Sequence, residues 1–119
     1  MFDYANAQLL GRAVGDAHLV NIDDPDRVSK ATFTLALNIP IRRGDKTETK
    51  TIFRRVMALG SFANYVASCQ EGDGTLKGRL IVVVGVMDDE KCGEDDFREV
   101  IRVAPGGGSI KIMDRRNNE

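Results

Sequence analysis

The sequence predicts a mainly all-β domain of five strands, with one short helix between the third strand and the fourth. Three observations carry this. Ala31 to Leu59 holds two strand patterns of alternating side chains joined by a basic loop. After Leu59 the apolar spacing changes from two to the period of a helix, and Arg79 to Met87 then forms a dense run of β-branched residues. Side chains alternate across a strand and recur every three to four positions on a helix, so these changes of period mark changes of element.

In chain order, Ala7 to Gly11 is a short apolar segment that reads as the first strand. Gly11 and Gly15 bracket Arg12-Ala13-Val14, which predicts a bend or bulge there. His18 to Ile22 continues the strand, and Asp23-Asp24-Pro25-Asp26 is a turn, since Asp side chains bond their own backbone and Pro fixes the bend. In the next arm Phe33, Leu35, Leu37 and Ile39 share one side, with Thr32, Thr34, Ala36 and Asn38 on the other. In the returning arm Ile52, Arg54, Val56 and Ala58 alternate with Phe53, Arg55, Met57 and Leu59. An arginine on each side of this arm is more than a purely structural strand needs.

Ser61 is placed to cap a helix that turns Phe62, Val66 and Cys69, with Tyr65 beside them, toward the core. Gly72-Asp73-Gly74 ends it. The run from Arg79 to Met87 is continuous enough for a central strand. Asp88 to Asp96 reads as an acidic loop, after which Phe97, Ile101 and Val103 share one face of a fifth strand. Ala104 to Gly108 breaks the chain, Ser109 to Met113 adds a short closing strand, and Asp114 to Glu119 reads as a short flexible end to a domain spanning residues 1–113. Five strands with a helix between the third and fourth is the order of the OB-fold, a five-stranded antiparallel barrel. A meander sheet packed on one helix is the alternative.

At 119 residues the chain is long enough for one domain with one core. Its apolar content of 42% and charged content of 29% are those of a globular protein. No apolar run reaches the ~20 residues of a membrane span, and the opening Met1-Phe2-Asp3-Tyr4 lacks the regions of a signal peptide, so a cytoplasmic location and no membrane association are expected. Two cysteines, Cys69 and Cys92, lie far apart, and His18 is the only histidine. No metal site, disulfide or cofactor is expected. Nor is an enzyme: there is no histidine pair, and Gly106-Gly107-Gly108 lacks the lysine and helix of a phosphate-binding loop. The carboxylate pairs Asp88-Asp89 and Asp95-Asp96 are better read as solvated than as cation ligands.

Net charge is −1, but it is unevenly spread. Ile41 to Arg55 carries six basic and two acidic residues, whereas Val86 to Glu99 carries seven acidic and two basic ones. One pole suits a phosphate backbone and the other repels it; the alternative is two solvated segments that only maintain solubility.

The ordered set of segments resembles the bacterial single-stranded DNA-binding proteins. The stretches that carry the likeness are Leu9-Leu10-Gly11 with Gly15-Asp16, Ala31 to Asn38, Phe53-Arg54-Arg55-Val56 running into Leu59-Gly60, Gly78 to Gly85, Phe97 to Val103, and the close Gly-Gly-Ser-Ile-Lys-Ile-Met. The resemblance implies an OB-fold that binds single-stranded DNA without sequence preference, assembles as a tetramer or dimer, serves replication, recombination or repair, and performs no reaction. It also implies places for stacking aromatics. Phe53 stands where the family has a tryptophan, with Arg55 on its face; Leu59 replaces a phenylalanine, Ile41 stands near a second tryptophan place and Cys92 near a third. Arg42, Arg43, Lys46 and Lys50 remain as phosphate contacts in the hairpin, and Arg12, just after the first strand, is a further candidate DNA contact. If ~4 of these neutralise phosphates, log affinity should fall with log salt at a slope of about −3. The family's acidic, Phe-terminated tail has no counterpart in Asp114 to Glu119, so tail-mediated recruitment of replication proteins is not expected. A shortened member from a phage or other mobile element fits this pattern. An OB-fold protein-interaction module with weak or lost DNA binding is the alternative function.

Overall fold

The computed structural model describes residues 6–21 and 28–113. The predicted turn at Asp23 to Asp26 and the predicted flexible end at Asp114 to Glu119 lie outside the described residues. Eight elements follow in order: β1 (Asn6–Ala13), β2 (His18–Val20), β3 (Lys30–Arg43), β4 (Lys46–Leu59), α1 (Ser61–Asp73), β5 (Leu80–Lys91), β6 (Phe97–Val103) and β7 (Ser109–Ile112).

The strands pair in the order β1-β3-β4-β6-β5, and β5 returns to β1, so the sheet closes on itself. This is the OB barrel, with α1 between the third and fourth of its five main strands; the meander alternative is excluded by the closure. β2 is a short addition beside β3, and β7 runs along β5. Every pairing is antiparallel except the one between β4 and β6, where Val56 faces Ile101 and Ala58 faces Val103 in parallel register. A parallel pair needs a long connection between its strands, which α1 and β5 supply.

The alternation read from the sequence gives the barrel its interior. Phe33, Leu35 and Leu37 from β3, Val56 and Ala58 from β4, Ile81 and Val83 from β5, and Ile101 and Val103 from β6 are all buried together. α1 presents Ala63 and Val66 to this core, with Phe62 and Cys69 packed at its margin. The Tyr65 hydroxyl accepts a hydrogen bond from the Ile112 backbone N–H at 2.9 Å, tying the helix to β7. Ser61 is the first helical residue rather than the cap. Gly60 holds the cap position at φ 61, its carbonyl accepts from the backbone N–H groups of Ala63 and Asn64, and no side-chain oxygen caps the start.

β5 changes neighbours along one edge, pairing with β7 from Ile81 to Val84 and with β6 from Val86 onward. Gly85 sits at the changeover. A Cβ there would lie 2.6 Å from the Arg102 carbonyl oxygen and 2.9 Å from a methyl of Ile101, so only a residue without a side chain lets the strands approach this closely.

The acidic segment differs from the sequence reading. Asp88 to Lys91 continue β5 instead of forming a loop, paired residue for residue with β6 down to Lys91 opposite Phe97. Only Cys92 to Asp96 make the turn, closed by a bond from the Cys92 N–H to the Asp96 carbonyl at 2.8 Å. Acidic residues disfavour strands, but here Asp88 and Asp89 stay exposed to water and Glu90 is held by the cations of Arg55 and Lys30.

Candidate nucleic-acid interface

β3 and β4 pair without a bulge along their whole length, from Lys30 opposite Leu59 to Arg43 opposite Lys46. Their far halves, Asn38 to Thr51, leave the barrel as an exposed two-stranded ribbon. Gly44 at φ 62 and Asp45 make its two-residue turn; a positive φ at the first position alone is the II′ pattern, whose twist matches that of the strands.

Regular register fixes which residues share the barrel's outer face. Ala36 pairs with Phe53 on one side and with Arg12 of β1 on the other, so Arg12, Ala36 and Phe53 form a row across three strands. Neighbouring strands lie ~4.8 Å apart, so Arg12 and Phe53 stand about 10 Å apart with only a methyl group between them. Thr34 and Arg55 make the next row, Thr32 and Met57 the next, and Lys30 and Leu59 the last. Phe53 is 57% exposed, which leaves a ring face open to solvent. Leu59 is half-buried at the opposite end of this face, about 20 Å along the strand from Phe53.

The predicted site residues therefore divide. Phe53, Arg55, Leu59, Arg12 and, by alternation, Arg42 share the outer face. Ile41, Arg43, Lys46 and Lys50 fall on the reverse face of the ribbon, where Arg43 is the register partner of Lys46, Ile41 of Glu48 and Lys50 of Ile39. Arg43 is also 3.7 Å from Glu48 in an exposed ion pair. Arg12 donates to the Gly78 carbonyl at 3.1 Å while remaining exposed.

Two recesses flank Arg55. One, of about 450 Å³, is lined by Val14, Asp16, His18, Thr32, Thr34 and Arg55 among others. Thr32 is buried, and its hydroxyl has no hydrogen-bond partner among the described residues, so this recess holds an unused donor and acceptor. The other, of about 280 Å³, lies where β4 and β6 part beyond Val56 and Ile101, between Arg54, Met87, Asp88, Asp89, Glu99 and Val100, with Arg55 again in its wall.

Asp16 fixes the rim of the first recess. Its carboxylate accepts from the Thr75 hydroxyl at 2.6 Å and from the Leu76 N–H at 2.8 Å. These bonds, with a smaller contribution from Lys77, hold its pKa below the usual carboxylate value. Gln70 adds a bond from the Ala17 N–H at 2.6 Å.

The β5–β6 arm reaches the same face. Glu90 accepts from Arg55 Nε at 2.7 Å, and its other oxygen lies 3.6 Å from Lys30 Nζ. Burial pushes the Glu90 carboxyl up, but the hydrogen bond and charge of Arg55, with Lys30, outweigh it and leave its pKa lowered. Asp88 pairs with Arg102 at 2.8 Å nearby. Lys30, Ala36, Thr32 and Glu90 were not among the sequence candidates. Ala36 and Lys30 were readable from alternation, whereas Glu90 is placed only by the return of β5. Cys92 is exposed at the turn of the arm. No group of histidine, cysteine or carboxylate side chains suited to a metal ion occurs among the described residues.

No family model and no curated protein sequence matches this chain. Solved structures do. A single-stranded DNA-binding protein from Plasmodium falciparum, in complex with single-stranded DNA, superposes with a TM-score of 0.77 at 19% identity over 96% of this chain and 98% of the other. A small single-stranded DNA-binding protein from Streptomyces coelicolor superposes with a TM-score of 0.66 at 15% identity, covering 95% and 96% of the two chains. The chain thus has the OB-fold seen in single-stranded DNA-binding proteins, over nearly its whole length.

Proposed function

We propose that this protein binds single-stranded DNA without sequence preference, along the outer face of β3 and β4. The observation that carries this is the row of Arg12, Ala36 and Phe53: a cation, a flat floor and an open aromatic ring, on a barrel of the kind found in proteins named for this activity. Binding a single strand needs cations for its phosphates and rings for its unstacked bases, and sequence tolerance follows because every base has a flat face. Phe53 and Leu59 provide the stacking and apolar contacts, and Arg12, Arg55 and Arg42 the phosphate contacts. The reverse face of the ribbon, with Ile41, Arg43, Lys46 and Lys50, engages a strand that passes around its edge.

The process served is protection of single-stranded DNA during replication, recombination or repair, with no chemical step. A homo-oligomer, tetramer or dimer, is part of this reading, and light scattering tests it. A cytoplasmic site of action is proposed alongside; no helix among the described residues is long and apolar enough to cross a membrane. An origin in a phage or other mobile element belongs to the same reading.

Titration of a labelled oligo-thymidine, followed by fluorescence anisotropy at low and moderate salt, tests the function. Saturable binding that weakens steeply with salt is expected, and no binding at low salt would sink the proposal. One observation favours a second reading, an OB-fold that has turned to protein partners: Glu90 already occupies the Arg55 guanidinium. A protein that binds no oligonucleotide yet forms a stable complex with a second chain would establish it.

A further inference from the structure

We propose that Glu90 is a built-in competitor for the phosphate site, holding Arg55 and Lys30 until a nucleic-acid strand displaces it. This rests on the DNA-binding reading above and adds to it a residue that limits affinity.

The geometry has three parts. The two carboxylate oxygens are divided between two cations from different strands, Arg55 of β4 at 2.7 Å and Lys30 of β3 at 3.6 Å. A phosphate group would bridge the same pair in the same way, presenting two oxygens to two donors. The Glu90 side chain is only 15% exposed, whereas those of Arg55 and Lys30 are 38% and 34% exposed, so an incoming anion can reach the cations while the carboxylate is still in place. Arg98 is the register partner of Glu90 on β6. It can receive the carboxylate once it turns away, so displacement does not strand a charge.

A purely structural role is the competing account. An ion pair whose cations are a third exposed contributes little to stability. It does, however, neutralise the cations closest to the centre of the face. A carboxylate left beside a bound phosphate also opposes it, which costs affinity and flattens the salt dependence by about one contact, ~0.7 in slope for a single strand.

The test compares the unsubstituted protein with Glu90→Gln and Asp89→Asn in oligo-thymidine titrations at several salt concentrations. Asp89 is the exposed neighbour on the other face of β5 and controls for net charge. Glu90→Gln should tighten binding on the order of fivefold to tenfold at low salt and steepen the slope by about 0.7, while Asp89→Asn changes little. Equal or weaker binding by Glu90→Gln, or the same gain from Asp89→Asn, overturns the proposal. If the Gln variant does not fold, NMR of the unsubstituted protein decides: the Arg55 Nε–H and Glu90 carboxyl resonances should both shift as the oligonucleotide saturates. Stationary signals at saturation overturn the competitor role but leave DNA binding standing, whereas absence of binding by both proteins removes the underlying function as well.

Discussion

Arg12 and Phe53 are both register partners of Ala36, one from β1 and one from β4, so a cationic residue and an exposed ring flank a single methyl group. Phe53→Ala should therefore weaken oligo-thymidine binding by ~1–3 kcal/mol, the worth of one stacked base. The salt slope should not change, because no charge is removed. With the ring 57% exposed, the thermal midpoint should move little.

The floor between them is as diagnostic as the ring. Ala36→Leu raises an apolar side chain into the row without removing a cation or an aromatic, and should reduce affinity by about tenfold through lost approach. Circular dichroism should show the fold unchanged, since Ala36 lies on the outer face and outside the buried core.

The ribbon's cations divide by face, and their salt dependence should divide too. Arg42→Ala, on the face of Phe53, should flatten the slope by about 0.7, one phosphate contact. Lys50→Ala, in register with Ile39 on the reverse face, should flatten it less. Anisotropy titrations across a salt series separate the two. Neither change should alter stability, as both side chains are exposed.

Acid should destabilise the fold through two carboxylates. Asp16 and Glu90 both have folded-state pKa values below their ordinary ones. The stability they contribute is fully present above the unfolded values of ~3.9 and ~4.3 and is lost as pH falls through the lowered folded values. Denaturation midpoints should be flat from neutral pH to about 5 and decline below 4. Asp16→Asn with Glu90→Gln should remove part of that slope.

Gly85→Ala tests the barrel crossing. The added methyl would meet the Arg102 carbonyl oxygen at 2.6 Å, and backbone cannot move aside as a flexible side chain can. A loss of ~1–3 kcal/mol or more in urea denaturation is expected, with the slope of the transition unchanged.

Much of this was legible in the chain itself because a strand's two faces follow from counting by twos. Phe33, Leu35 and Leu37 announce the interior by counting alone, whereas the returning arm carries apolar groups and an arginine on both sides, and there the resemblance, not the alternation, marked Phe53. The same counting separates Arg42 from Arg43, although a cluster of cations in a hairpin invites reading as one patch. The strand character of Asp88 to Lys91, within the acidic run, was hidden for a different reason. Local propensity argues for a loop, and only pairing with β6 makes it a strand. Glu90's hold on Arg55 was not legible at all, since the two residues meet only because the barrel closes.

That closure has a kinetic side. β3 and β4 can meet through a two-residue turn, but β4's other edge between Val56 and Ala58 finds its partner only in β6, after α1 and β5 have been made and folded back. Until then the strand that carries Phe53 and Arg55 has an open border, able to pair with any other extended chain. Contacts so distant in sequence form slowly. During synthesis, the residues best suited to gripping a nucleic acid are also those most open to aggregation.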